Sequence, residues 1–284
     1  MFSWQRLCGD APAVMGIVNV TPDSFSDGGR FLDHDAAVAH GLELVADGAA
    51  LVDVGGESTR PGAAAVEESE ELRRVVPVVA ALAEAGCAVS VDTMKATVAA
   101  AAIEAGAVVV NDVRGGRDPE LLRVVAEAGA GIVLMHMQGE PRTMQDDPRY
   151  DDVVTDVGDF LAARLDAARA AGVAEEALCA DPGIGFGKLA RHNLGLLARL
   201  DELVARVAVP VMIGTSRKAF LGSVVAGEGA SSPPPDARDD ATLATACWAV
   251  DHGGRVLRVH DVRPVAEMVR MMTLMASLDA QAVA

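Results

Sequence analysis

The sequence predicts an α/β protein: a single (β/α)8 barrel spanning residues 1–284, with its working face at the C-terminal ends of the strands. Three observations predict it. Short apolar runs recur eight times, at 14–18, 51–54, 88–91, 107–110, 132–135, 178–180, 209–213 and 256–259, each followed by room for a helix, which is the rhythm of a parallel α/β sheet. Glycines Gly48, Gly86, Gly106, Gly129, Gly131, Gly172, Gly253 and Gly254 stand before strands, where a helix ends in a left-handed cap. Polar residues gather where the strands stop, the face on which barrel enzymes build their sites. A doubly wound sheet is the competing architecture, but it leaves those polar residues without a shared purpose.

Composition agrees with this class. The chain is 51% hydrophobic and only 3% aromatic, which suits small side chains packing helices closely on a parallel sheet. Its net charge of −17 opposes binding to nucleic acid or an anionic membrane, since both need a broad positive field. Cys8, Cys87, Cys179 and Cys247 form no CxxC pair and read as free thiols in a reducing, cytoplasmic setting. No run approaches the roughly 20 apolar residues of a membrane span.

The first strand breaks at Asn19 into a polar loop carrying Thr21, Pro22, Asp23, Ser24, Phe25, Asp27, Gly28 and Gly29, a composition suited to a binding loop. A helix from Ala36 to Gly48 places Val38, Leu42 and Val45 on one face. After the second strand, Thr59, Arg60, Pro61 and Gly62 form another loop able to close over the mouth. Pro77 lies inside the helical run Glu67 to Ala85, so a kink or a late helix start is expected there. Residues 227–239, rich in Gly, Ser and Pro, predict an exposed loop. The last helix, Val265 to Leu278, carries Met268, Met272 and Met275, which serve either barrel packing or a homodimer interface.

In order, the strand ends present Asn19, Asp53, Asp92, Asn111 with Asp112, His136, Asp181, Ser216 with Arg217 and Lys218, and Arg258 with His260 and Asp261. Asp53 and Asp112 read as helix caps or turn formers. Asp92, Asn111, Asp181 and Lys218 suit the donor and acceptor edge of a flat heterocycle. Arg258, His260 and Asn19 fall on strands that become neighbours when the barrel closes. Together they suit a phosphate-like anion, with the Asn19 oxygen open to a hard metal. The run GIGFGK at 183–188 is no phosphate loop, because Pro182 and Leu189 stand where that pattern needs Gly and Ser or Thr. His136 has no second His or Cys at ligand spacing and reads as packing.

These elements make the chain resemble the dihydropteroate synthase family. The resemblance is carried by NVTPDSFSDGG at 19–29, DVGGESTRPG at 53–62, SVDT at 90–93, NDV at 111–113, LMHMQG at 134–139, DPGIGFGK at 181–188, SRKAFLG at 216–222 and RVHDV at 258–262. It implies a TIM barrel that joins 6-hydroxymethyl-7,8-dihydropterin pyrophosphate to p-aminobenzoate and releases pyrophosphate with Mg²⁺. By the same resemblance, Asp92, Asn111, Met135, Asp181, Phe186 and Lys218 form a pterin pocket. Phe25, Thr59, Arg60, Pro61 and Ser216 form a p-aminobenzoate subsite that sulfonamides would occupy. Asn19, Arg258 and His260 hold pyrophosphate, with Asn19 on the metal and Asp92, Lys218 and Arg258 catalytic. The neighbouring possibilities are a corrinoid-dependent pterin methyltransferase domain and a non-catalytic pterin-binding paralogue.

Overall fold

The computed structural model describes residues 1–21, 34–58, 65–140, 143–227 and 230–282. Eight parallel strands form one sheet in the order β6-β5-β4-β3-β2-β1-β8-β7. They are β1 (Ala13–Asn19), β2 (Leu51–Gly55), β3 (Val89–Asp92), β4 (Val109–Asp112), β5 (Gly131–Met135), β6 (Leu178–Asp181), β7 (Met212–Ile213) and β8 (Val256–Val259). Every strand falls on one of the eight apolar runs. β7 is shorter than expected, because Pro210 has no N–H to give to a ladder. Its carbonyl still accepts from the Ala180 N–H at 2.9 Å, and a bridge between Ala180 and Val211 closes the barrel.

Helices pack around the strands at His34–Ala46, Glu68–Glu84, Ala96–Glu104, Pro119–Ala128, Val153–Ala170, Ala190–Ala198, Leu200–Val207, Ala219–Ala226, Asp239–Asp251 and Val262–Ala282. Six of the eight glycines expected to cap helices have positive φ, from 62° at Gly129 to 114° at Gly106; Gly131, the first residue of β5, and Gly254 do not. At Gly106 a Cβ would also lie 2.5 Å from that of Ala83, so the turn into β4 requires glycine.

Strand alternation divides the core in two. One set of side chains, including Val14, Val18, Val52, Val54, Val91 and Val110, packs outward against the helices. The other, Met15, Leu51, Val109, Val133, Cys179, Met212 and Val256, fills the lower interior of the barrel. The short helix Trp4–Cys8 closes that end, with the Trp4 indole N–H donating to the Ala177 carbonyl at 3.0 Å. Two residues above Leu51, Val109, Val133, Cys179 and Val256, on the same inward parity, stand Asp53, Asn111, Met135, Asp181 and Arg258. The barrel thus changes from apolar to polar one layer from its mouth.

Three segments differ from expectation in detail. The helix Glu68–Glu84 runs through Pro77 with no late start. The Pro-rich segment contains a 3-10 turn, Pro235–Arg238. Its Arg238 guanidinium donates to the carbonyls of Pro233 (2.9 Å) and Arg217 (2.8 Å), pinning the segment to the end of β7. The last helix extends to Val262–Ala282, burying Val262, Val265, Ala266 and Val269 while Met271, Leu274, Met275 and Leu278 are exposed. No helix among the described residues is long and apolar enough to cross a membrane.

Candidate active site

Asp53 is the first correction. It is neither a cap nor a turn former: it sits within β2, fully buried, and its Oδ2 accepts from Arg258 Nε at 2.7 Å and from Asn111 Nδ2 at 2.9 Å. Its inward parity takes it into the barrel. Asp112, of opposite parity, does form a turn, accepting from the backbone N–H groups of Arg114 (2.8 Å) and Gly116 (2.6 Å). Arg258 lies beside β1 through the β8–β1 pairing, with Met15 opposite it. Its guanidinium nevertheless reaches across the mouth, where Nη2 donates to Asp92 Oδ2 at 2.8 Å. Burial pushes the Asp92 carboxyl up to about 7, with the Arg258 charge opposing the rise and the Asp53 charge adding to it.

The second half of the site is built by β6 and the loop after it. Asp181 Oδ1 accepts from the Gly183 N–H at 2.7 Å, and burial raises its pKa while Lys218 opposes. Burial likewise brings Lys218 down to about 8 against the pull of Asp181. The Lys218 ammonium donates to the Ile184 carbonyl and stands 4.7 Å from the centre of the Phe186 ring. Met135 packs with Val113, Met137 and Met144, and Phe186 leans on that group. This apolar cluster lies at the same end of the barrel as buried Asp92, Asn111 and Asp181, with Met135 paired to Asp181 across β5 and β6.

Sequence reasoning overlooked Lys188. It is buried, its Nζ 2.8 Å from His136 Nδ1 and 3.0 Å from the carbonyls of both Gly183 and Phe186. Burial lowers its pKa well below that of an ordinary lysine and pushes His136 down to about 2, with Lys188 adding to the effect. His136 is therefore a neutral packing residue, edge-on to Phe160 with 4.9 Å between centroids. The glycine-rich run is thus tethered beside His136. The signal available was the lone lysine at the end of an apolar, glycine-rich stretch.

At the β8 side, Ser216 Oγ lies 2.9 Å from His260 Nδ1 and accepts from the His260 N–H at 3.1 Å. Ser216, expected at the p-aminobenzoate subsite, thus stands beside His260. Arg217, at φ 58°, is held in a forked pair by Asp239 at 2.9 and 2.8 Å. Asn19 ends β1 and is half-buried. Phe25, Thr59, Arg60 and Pro61 lie outside the described residues. Both flanks of 59–64 meet at another residue that sequence reasoning missed: Lys95 donates to Glu57 at 2.6 Å, to the Val66 carbonyl at 2.7 Å and to buried Glu71.

Fold and site together define a barrel enzyme whose mouth is lined by buried carboxylates, an amide, a lysine and an arginine. The pterin-binding enzyme family model matches residues 15–260. A dihydropteroate synthase of Mycobacterium leprae is 51% identical over 91% of this chain and 92% of its own length. The Xanthomonas albilineans dihydropteroate synthase structure with 4-aminobenzoic acid superposes with a TM-score of 0.86 at 46% identity, covering 94% of both chains. The same enzyme with 7,8-dihydropteroate gives a TM-score of 0.83 at 43% identity over 94% of both. The Yersinia pestis enzyme with a sulfonamide gives 0.87 at 45% identity, over 94% of this chain and 95% of that one. The chain belongs to the dihydropteroate synthase family of pterin-binding enzymes.

Proposed function

We propose that this chain condenses 6-hydroxymethyl-7,8-dihydropterin pyrophosphate with p-aminobenzoate to give 7,8-dihydropteroate and pyrophosphate. The observation that supports the reading is that Asp92, Asn111 and Asp181 are all buried at the C-terminal ends of their strands, where Met135 and Phe186 belong to one apolar cluster. Their acceptors suit the N–H-rich edge of a pterin, and Lys218, donating to the Ile184 carbonyl, suits its ring acceptors. We assign the anion corner to Arg258, His260 and Asn19, with Ser216 hydrogen-bonded to His260. The assignment of Phe25, Thr59, Arg60, Pro61 and Ser216 to p-aminobenzoate and sulfonamides rests on the family motifs.

In the reaction, the bond between the pterin methylene and the pyrophosphate oxygen breaks and its electron pair leaves with the anion. Positive charge develops on the methylene and spreads into the ring, where the fixed carboxylates of Asp92 and Asp181 favour it. Arg258 follows the departing anion by exchanging its Asp92 contact for a phosphate oxygen while Asp53 keeps hold of Nε. The arylamine nitrogen then forms the new carbon–nitrogen bond and releases its proton to solvent. No group of three or more His, Cys, Asp or Glu side chains able to hold a metal occurs among the described residues. Asn19 at the β1 end offers one oxygen, which fits Mg²⁺ carried largely by water and phosphate; when bound, the ion would neutralise charge on the leaving anion.

We assign the protein to the cytoplasm, where its four free thiols would stay reduced. We also read it as a homodimer. Trp248 on Asp239–Asp251 and Met271, Leu274, Met275 and Leu278 on Val262–Ala282 expose large apolar side chains on adjoining helices. Incubating the purified protein with both substrates and no cobalamin should yield 7,8-dihydropteroate on chromatography. Absence of that product from a folded, pterin-binding sample would assign the chain to a non-catalytic pterin-binding role.

A further inference from the structure

We propose that Asp53 is a positioning residue that sets the hydrogen-bonding polarity of the pterin slot, by locking the Asn111 amide with its oxygen turned to the ligand. The inference rests on the pterin reading above. An asparagine amide can present either its oxygen or its NH2 to a ligand, and the two choices recognise opposite edges of a heterocycle. In isolation the two orientations differ little. Here they differ greatly, because the atom facing Asn111 is a carboxylate oxygen, which can only accept. Asp53 Oδ2 lies 2.9 Å from Asn111 Nδ2, and turning the amide over would set oxygen against oxygen in a buried site.

Two further observations support the assignment. Asp53 itself cannot turn away, because the same Oδ2 accepts from Arg258 Nε at 2.7 Å, and Arg258 is fixed at its other end by Asp92 at 2.8 Å. Arg258, a group that can only donate, and the Asn111 amide therefore both donate to the same Asp53 oxygen, so the amide meets an acceptor already held in place. Asp53 Oδ1, Ser90 Oγ and Asn111 Oδ1 are buried with no partner among the described residues, and of these Asn111 Oδ1 is the acceptor that the locked amide presents. An unpaired buried acceptor is costly, and a ring N–H placed against it would satisfy it. Recognition of a donor at this point, and rejection of a ring that presents an acceptor there, follows from Asp53 although Asp53 need never touch the ligand.

The test is a double-mutant cycle on the affinity of 6-hydroxymethylpterin, read by calorimetry with thermal denaturation as the check on folding. Asp53→Ala and Asn111→Ala should each weaken binding about tenfold, the size of one buried hydrogen bond lost. The double variant should bind no more weakly than Asn111→Ala alone, since Asp53 acts through that amide. Asp53→Asn, which keeps a carbonyl oxygen for Arg258 and Asn111, should restore affinity to within about threefold of the wild type. Independent losses that multiply, or an Asp53→Asn variant as weak as Asp53→Ala, would overturn the inference and leave the pterin reading intact. Asn111→Ala binding as well as the wild type would overturn both. Should Asp53→Ala fail to fold, the wild-type protein still decides: the Asn111 NH2 protons should exchange slowly with solvent in the ligand-free state, and fast exchange would contradict the lock.

Discussion

Asp181 shows how a single residue is committed to the slot. One of its carboxylate oxygens accepts from the Gly183 N–H, and Lys218 and Lys188 supply positive charge nearby. Asp181→Asn would exchange an all-accepting group for one that also presents a donor. The expected loss in pterin affinity is about 2 to 4 kcal/mol, measured by calorimetry with 6-hydroxymethylpterin; unchanged affinity would remove Asp181 from the pocket. Most slot residues were legible in sequence because acid, amide and lysine follow apolar runs. Asp53 was misread because it looks like the many aspartates that cap helices. Strand parity separates the cases: Asp53 stands two residues after inward Leu51, whereas Asp112 stands one after inward Asn111. Lys95 was not legible, since its partners are carboxylates and a carbonyl distant in sequence, and Lys188 was passed over as the end of a glycine-rich run although its nearest carbonyls lie within that run.

Among the elements, the loop Gly183–Lys188 is the most exacting. Gly183 has φ 64°, and a Cβ there would fall 1.9 Å from the His136 carbonyl oxygen, so Gly183→Ala must push the loop off the end of β5. The expected cost is about 2 to 4 kcal/mol in urea unfolding. Pterin affinity should fall in parallel, because Phe186 and the Ile184 carbonyl move with the loop; a stable variant with wild-type affinity would show that the loop is not a wall of the slot. Strand and helix positions were legible because glycine caps and apolar runs are local signals. The pinning of the Pro-rich segment by Arg238, and of Arg217 by Asp239, was not, because both depend on contacts about twenty residues apart. The loop positions Phe25, Thr59, Arg60 and Pro61 remain expectations from the motifs alone.

The whole barrel places two titrations of opposite sense in one mouth. Asp92 must lose its proton to favour cationic charge, and burial has moved it up to about 7. Lys218 must keep its proton, and burial has brought it down to about 8. Activity should therefore rise as pH increases through about 7 and fall as it passes about 8, a narrow bell whose limbs belong to the coupled site. Asp92→Asn should flatten the acidic limb of kcat/KM while lowering its maximum; an unchanged acidic limb would assign that titration elsewhere.

The central claim is that the mouth of this barrel transfers a pterin methylene from pyrophosphate to an arylamine. Its most direct measurement is pyrophosphate release from the pterin substrate in the presence and absence of p-aminobenzoate, with 7,8-dihydropteroate counted in the same samples. Release should depend on p-aminobenzoate and match product one for one. Release at the same rate without p-aminobenzoate, the pterin appearing as its free alcohol, would contradict it and make the protein a hydrolase.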